Sequence, residues 1–334
     1  MPAPDSTEPR PARAIEELLA GSDLVLLGRM PWSSNATFLC ELWPKGSRPD
    51  AGLTEVADDG EPDDDEWDDD EDWEDEDDVR AAAERATEAD DPSDDYEPAD
   101  GDGPADSQAP AAPDNAAQPT PAAPDHDPEA VARAAGHGPL GRAIYKPHRG
   151  ERPLWDFPDG LYRREAGAYQ LARAIGWDVV PPTIVRDGPF GPGSLQWFIE
   201  ADFDQHYFVL LEDEATHAQL RRMAAFDLVA NSTDRKGGHV LVDAQRHLWG
   251  IDNGLCLHAE FKLRTVIWDF AGEPLPAELA EDLDRFSCAD LVPELHELLD
   301  PFERDALRSR ARALLSEGRL PTDPTGRRFP WPLV

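Results

Sequence analysis

Four charged side chains far apart in the sequence have the types that phosphate chemistry requires: Lys146, Glu165, Asp234 and Asp252. A lysine on a strand, held by a glutamate on a helix, can reach the phosphates of a nucleotide. Magnesium prefers one or two carboxylates together with phosphate oxygens and water, so Asp252 is the expected kind of metal ligand. Asp234 and Asp252 together indicate the metal and proton chemistry of phosphoryl transfer.

Two predicted elements position the lysine and the glutamate. Residues 142–147 form a short β-type run that carries Lys146. Residues 161–176 predict a helix that ends at Gly176. One position of the apolar stripe of this helix is Glu165, so we expect a carboxylate on the buried face that needs a partner.

A predicted helix, 216–230, runs directly into the segment 231–235 that carries Asp234. Downstream, two short strands are predicted at 239–242 and 247–251. If Val242 faces His247, the register places His239 opposite Gly250. His239 and Asp252 are then expected at the same edge of one hairpin.

The remaining pattern is that of a mixed α+β protein. Further strands are predicted at 23–28, 38–42, 181–185 and 194–199, with a Gly/Pro loop at 187–193. Further helices are predicted at 14–20 and, two or three in number, within 276–318.

The negative charge of the chain is concentrated in one insert. The 334 residues carry a net charge of -39, and residues 50–135 contain 33 acidic and three basic side chains. Such a composition buries too little apolar surface to fold, and predicts a disordered segment. With Trp67 and Trp73, the alternatives are an acidic docking segment and a mimic of a polyanion. Because a long loop adds little closure entropy, the strands on either side of it are expected in one sheet.

Composition also excludes several classes of protein and several kinds of structural site. A chain this acidic is not a basic nucleic-acid binder. Cys40, Cys256 and Cys288 do not have the spacing of a disulfide framework or a zinc site. No signal-peptide pattern and no transmembrane stretch is predicted, so we expect a cytoplasmic protein.

Several motifs resemble those of the phosphatidylinositol 3- and 4-kinase superfamily, closest to type II phosphatidylinositol 4-kinase-like bacterial proteins. The matching segments, in the same order as in that family, are 165–169, 193–200, 231–235 and 251–255. The resemblance covers residues 23–45 weakly and 140–270 well. The Ile-Asp-Asn-Gly-Leu segment at 251–255, with Thr-Asp-Arg upstream, is its most specific part.

The resemblance implies a two-lobed kinase-like fold, with an antiparallel-sheet N-lobe, a mainly helical C-lobe and ATP between them. Composition predicts a disordered tail at 1–12 and an acidic, Pro/Ala-rich disordered insert at 50–138. With the resemblance, the rest is divided into an N-lobe at 13–49 and 139–200 and a C-lobe at 201–334. Lys146 would contact ATP phosphates, Glu165 would pair with it, and Asp234 would orient or deprotonate the acceptor hydroxyl. Magnesium, or manganese, would lie at Asp252. The turn at Ser33, Ser34 and Asn35 would be the phosphate lid. The run that contains Gln196, Phe198, Ile199 and Glu200 would be the hinge beside adenine, and Ile251 would also contact the nucleotide.

The chain departs from the family at the second metal position, where His239 replaces the usual asparagine. An imidazole is a poor ligand for magnesium, so the second metal is held differently, another metal is used, or activity is reduced. The acidity of the chain favours a protein or small-molecule hydroxyl over a membrane lipid as the acceptor.

The sequence thus predicts an ATP-dependent kinase. The alternatives are a nucleotide-binding pseudokinase whose acidic run, 50–100, docks a basic protein, and an enzyme that transfers AMP.

Overall fold

The computed structural model of the protein describes residues 12–30, 33, 35–47 and 138–334. Its helices are α1 Ala12–Gly21, α2 Leu161–Ile175, α3 Tyr207–Leu211, α4 His217–Ala230, α5 Ala277–Cys288, α6 Pro293–Leu298 and α7 Pro301–Glu317. Its strands are β1 Asp23–Arg29, β2 Phe38–Trp43, β3 Gly141–Pro147, β4 Thr183–Gly188, β5 Gly191–Trp197, β6 Val240–Val242 and β7 Leu248–Gly250. The predicted α+β, two-lobed class is confirmed: an antiparallel-sheet N-lobe and a mainly helical C-lobe. Ser34, the acidic residues with Trp67 and Trp73, and the predicted tail up to position 11 lie outside the described residues.

The N-lobe sheet has the strand order β1-β2-β3-β5-β4. Strand β2 pairs antiparallel with β3, with Phe38 opposite Tyr145 and Leu42 opposite Gly141. The two flanks of the acidic insert are therefore neighbouring strands of one sheet, as predicted. On its other side β3 pairs with β5, where Lys146 lies opposite Ser194. A strand paired on both sides gives the lysine a fixed position.

The prediction of a Gly/Pro loop over residues 187–193 is wrong, because the connection is much shorter. Strand β4 continues to Gly188 and β5 begins at Gly191, so a tight hairpin replaces the loop. Gly191 has a φ of 94°, which a residue with a side chain rarely adopts. A Cβ on Gly193 would lie 2.4 Å from the carbonyl oxygen of Lys146. Glycines here allow close strand pairing rather than a long turn.

Helix α2 has defined ends. At its start, the Glu151 carboxylate accepts the backbone N–H groups of Leu161, at 2.9 Å, and Tyr162, at 2.5 Å. At its end Gly176 adopts a left-handed φ of 95° and donates to the Ala172 carbonyl, as the sequence predicts. These contacts fix the residues at which the helix begins and ends.

The predicted register of the small hairpin is wrong by one residue. Val240 pairs with Gly250 and Val242 with Leu248, so His239 does not lie opposite Gly250. Instead, the His239 carbonyl accepts the N–H of Ile251 at 3.0 Å.

The physical reason is the turn between the two strands. Asp243 Oδ1 accepts the N–H groups of Gln245 and His247, each at 2.9 Å. Arg246 adopts a left-handed φ of 63°. These contacts place His247 in the turn, and shift every pair by one position toward Asp252.

Two hydrophobic cores support the lobes. The N-lobe core includes Leu19 of α1, Leu42 of β2 and Tyr145 of β3. The larger core includes Leu171 of α2 and Phe226 of α4, with side chains from the C-terminal helices. Across the described ranges, no helix has both the length and the apolar character needed to cross a membrane.

Candidate active site

Lys146, on β3, contacts two of the three acidic residues of the predicted site. Its Nζ donates to Glu165 Oε1 and, at 2.7 Å, to Asp252 Oδ1. The second oxygen of Glu165 accepts the backbone N–H of Asn253 at 3.0 Å. One glutamate therefore holds both the lysine and the loop that carries Asp252.

The charges of this cluster reinforce one another. Burial disfavours the Lys146 ammonium, but the Asp252 and Glu165 carboxylates outweigh it and raise the pKa of Lys146 above its usual value. The ammonium in turn holds the pKa of Asp252 far below its usual range. The side chain of Glu165 is 3% exposed and that of Asp252 is 51% exposed. The lysine thus joins a buried anion to an accessible one.

Asp234 lies in a loop whose start is fixed by Asn231. Asn231 ends α4 with a left-handed φ of 56°, and its Nδ2 donates to the carbonyls of His258, at 3.0 Å, and Glu260, at 2.6 Å. The Asp234 carboxylate is 3.4 Å from Lys236 Nζ.

Burial raises the pKa of Asp234 to about 6, partly opposed by Lys236 and assisted by the charge of Asp252. A carboxylate with this pKa is well suited to accept a proton near neutral pH.

His239 contacts both aspartates. Its Nδ1 lies 2.9 Å from the backbone carbonyl of Asp234, and its Nε2 lies 3.4 Å from Asp252 Oδ2. Burial lowers the pKa of His239 to about 4, so the imidazole is neutral at physiological pH. The shifted hairpin register brings this ring to Asp252.

The described residues of the predicted phosphate lid, Ser33 and Asn35, form hydrogen bonds with neighbouring segments. Ser33 Oγ lies 2.7 Å from Thr37 Oγ1. Asn35 Oδ1 accepts the N–H of Arg152 at 2.9 Å. Ser34, the middle residue of the lid, is outside the described residues.

The turn that follows β3 also contacts the lid backbone. The N–H of Ala36 donates to the Gly150 carbonyl at 3.0 Å. A Cβ on Gly150 would lie 2.1 Å from the Ala36 Cβ, so this contact requires glycine. The lid is therefore held against the same strand end that carries Lys146.

The predicted adenine-side residues have partners of their own. Gln196 Nε2 donates to Thr183 Oγ1 at 2.9 Å, inside the sheet. The Arg142 guanidinium lies 4.5 Å from the centre of the Phe198 ring and donates to Glu200 at 2.7 Å.

The two predicted isoleucines, Ile199 and Ile251, are half-buried. The structure thus brings Lys146, Glu165, Asp234, His239 and Asp252 into one cluster, whereas the Gln196 and Glu200 side chains are engaged by the sheet.

Over 226 residues the chain is 39% identical to Protein Rv2133c of Mycobacterium tuberculosis, a match that spans 57% of this chain and 81% of that protein. The chain belongs to the Rv2133c family. No family model matches it. A solved structure, the proinflammatory kinase CtkA of Helicobacter pylori, is similar over 54% of this chain and 88% of that chain, at 11% identity and a TM-score of 0.31. At so low a TM-score the likeness decides neither fold nor activity.

In this member of the Rv2133c family, a buried network that the sequence did not reveal lies beneath the site. Arg235 Nε donates to Asp227 at 3.1 Å, and its two terminal nitrogens donate to the Ile251 carbonyl, at 2.6 Å, and Asn253 Oδ1, at 2.7 Å. Asp227 is fully buried. The sequence feature that could have indicated this pair is an aspartate beside the apolar stripe of α4, eight residues before Arg235.

This network explains the unusual backbone conformation of Asp252. Its φ of 56° is unusual for a residue with a side chain. Arg235 holds Ile251 on one side, and Glu165 holds Asn253 on the other. Strained backbone of this kind persists where flanking contacts fix it, and is frequent at functional sites.

The donor atoms around Asp252 determine which metal fits. The half-exposed Asp252 carboxylate suits magnesium, which takes few protein ligands together with phosphate oxygens and water. Asn253 Oδ1 is already bound by Arg235. The nitrogen of His239 suits transition metals rather than magnesium. The residues therefore fit a magnesium ion held through Asp252, and do not fit a second one held through His239.

Proposed function

We propose that this chain is an ATP- and divalent-metal-dependent phosphotransferase that resembles phosphatidylinositol 3- and 4-kinases. The observation that carries the proposal is the double contact of Lys146 Nζ with Glu165 and Asp252. Phosphoryl transfer depends on positioned positive charge at the phosphates and a group that aligns the acceptor. The cluster supplies both. The acceptor is a hydroxyl of a protein or a small molecule.

Each side chain has one task. Lys146 binds phosphate oxygens, and Glu165 fixes its direction. Asp234 orients the acceptor hydroxyl and takes its proton while the new O–P bond forms and the bond to the ADP oxygen breaks. A divalent ion held by Asp252 would neutralise phosphate charge.

The test compares two labels. Purified protein is incubated with cell lysate, metal and ATP labelled at either the γ- or the α-phosphate. Transfer of the γ label supports a kinase, and transfer of the α label instead would indicate AMP transfer. Asp234→Asn is expected to lower γ transfer by about 100-fold or more with ATP binding retained, because general-base assistance is lost. Asp204→Asn, in an exposed loop, is the matched control. Equal transfer by parent and Asp234→Asn would overturn the assigned role.

A second candidate is a nucleotide-binding pseudokinase. It is favoured by the neutral ring of His239 beside Asp252, where an oxygen ligand would serve magnesium better. Thermal stabilisation by ATP and metal, without turnover over hours, would support this candidate. Any phosphate transfer would exclude it.

A further inference from the structure

A cavity of about 1120 Å³ opens beside Asp234. Asp234, Thr233 and Lys236 contribute to its wall, and the rest comes from segments within 154–158, 255–264 and 325–331. Lys146 and Asp252 are not among its lining residues. The cavity is therefore on the Asp234 side of the cluster, where the proposed function requires an acceptor, and it is larger than is usual for a pocket that encloses a small molecule.

The lining is basic although the chain is acidic. Five basic side chains line it, against three acidic ones, in a protein of net charge -39. Three of the cations have acidic partners: Lys262 Nζ lies 3.0 Å from Asp156, Lys236 Nζ lies 3.4 Å from Asp234, and Arg328 Nε lies 3.8 Å from Asp323. Arg328 also lies 4.7 Å from the centre of the Phe261 ring.

Arg264 and Arg327 are the two cations left available. Both are exposed, and the described residues give neither guanidinium a hydrogen bond or an ion pair. Among the carboxylates that line the cavity, Glu260 alone is likewise exposed and without a hydrogen bond or ion pair to the described residues. A surplus of unpaired guanidinium groups around a cavity favours an anionic ligand, above all one with carboxylates or phosphates that can bind in a bidentate manner.

Exposed aromatic side chains lie at the same cavity. Trp155 is 97% exposed and Trp331 is 83% exposed. Aromatic residues and arginines together are the side chains enriched where proteins bind other polypeptides. An open, large cavity with several separate cations suits an extended chain with repeated negative charges.

We propose that this cavity binds an acidic polypeptide segment and presents one of its serine or threonine hydroxyls to Asp234. The proposal rests on the phosphotransferase function above and names its substrate class. Arg264 and Arg327 bind carboxylates that flank the acceptor. The hydroxyl proton goes to Asp234, the hydroxyl oxygen bonds to the γ-phosphorus of ATP, and ADP leaves. A bilayer of anionic lipid is disfavoured, because its dense surface charge also meets the negative surface of the whole chain.

Binding is tested first, with a labelled peptide of the sequence 84–99, which carries Thr87 and Ser93 among seven acidic residues. Fluorescence anisotropy measures its affinity for the full chain. Arg264→Gln/Arg327→Gln is expected to weaken binding about tenfold or more, and rising salt to weaken binding to the parent. Arg13→Gln/Arg319→Gln removes the same charge from exposed positions outside the cavity and is expected to bind like the parent.

Three binding results would overturn the proposal. They are no binding of the peptide by the parent, equal binding by the Arg264→Gln/Arg327→Gln variant, and preferential binding of phosphatidylserine vesicles over the peptide. A peptide whose acidic residues are replaced by their amides is expected to lose affinity. If the amide peptide binds as well as the acidic one, charge does not select the ligand.

Phosphate transfer to the peptide is tested next. This second test distinguishes a wrong substrate class from a wrong kinase function. The double arginine variant is expected to raise KM for the peptide about tenfold with kcat and KM for ATP unchanged. The peptide with Thr87→Ala and Ser93→Ala is expected to bind without being phosphorylated. If the parent consumes ATP but does not phosphorylate the peptide, the substrate class is wrong and the kinase function stands. If the peptide binds and no ATP is consumed, the acceptor role and the kinase function both fail.

Discussion

Lys146 Nζ and Asp252 Oδ1 are 2.7 Å apart although 106 residues separate them in the chain. Strand β3 supplies the lysine and the loop after β7 supplies the aspartate. Glu165 bridges them, because its two oxygens contact Lys146 and the backbone of Asn253. A positive and a negative group held this close can bind a phosphate and its metal at adjacent points.

Glu165→Gln is expected to raise KM for ATP about tenfold and to lower kcat, because an amide has one acceptor oxygen where the carboxylate has two. When that oxygen accepts the Asn253 N–H, the loop keeps its position, and the amide NH2 group faces the Lys146 ammonium, which it cannot hold. Steady-state kinetics at varied ATP measures both constants. Glu212→Gln, at an exposed position, is the control, and unchanged constants in Glu165→Gln would show that the glutamate does not orient the lysine.

The rate is expected to rise with pH through about 6. Asp234 must be ionised to accept the acceptor proton, and its pKa is raised to about 6 by burial. Below that pH it is protonated and inactive. Profiles of kcat against pH check this, at saturating ATP and metal.

Lys236 provides the comparison for this profile, since its charge lowers the pKa of Asp234. Lys236→Met is therefore expected to move the midpoint to higher pH. A profile that is flat between about pH 5 and 8, or a midpoint that moves to lower pH in the variant, would contradict the role given to Asp234.

His239→Asn is expected to increase activity with magnesium relative to activity with manganese. An amide oxygen suits a hard cation better than the imidazole nitrogen does. The measurement is the ratio of kcat with each metal in parent and variant. An unchanged ratio would mean that position 239 does not contact the metal, and a lower magnesium rate would mean that the ring has another role.

Arg235→Gln is expected to destabilise the protein by about 3 to 5 kcal/mol, because it leaves the buried Asp227 carboxylate without its cation. Asp227 keeps the hydroxyl contacts of Ser232, at 3.0 Å, and Thr265, at 2.9 Å. The double variant Asp227→Asn/Arg235→Gln removes the unpaired charge and is expected to recover part of the loss. Urea unfolding, monitored by circular dichroism, gives the free energy of unfolding of the single and of the double variant. A single variant no less stable than the double one would show that the pair is not coupled.

Local patterns predicted most of what lies in strands and helices. The β-type run at 142–147 and the apolar stripe of α2 located Lys146 and Glu165, since each pattern depends on neighbours a few positions away. The strand pairing across the acidic insert was also predictable, because loop length hardly affects closure.

Side-chain contacts over long distances were beyond the sequence. The Asp243 contacts that moved the small hairpin by one residue depend on a turn, and a one-residue change in the turn gives no periodic signal. The Asp227–Arg235 pair is set by tertiary packing. Helix α3, at Tyr207–Leu211, is too short for its apolar residues to show a helical period.

In the proposed function, Lys146 and Asp252 act together on the phosphates of ATP. The most direct test is the rate of ADP formation by the parent, Lys146→Met and Asp252→Asn, with folding checked by circular dichroism. Turnover by the parent is expected, with a loss of about 100-fold or more in each folded variant, if both groups bind the phosphates and their metal. A parent without turnover, or a folded variant that retains the parent rate, would contradict this joint role.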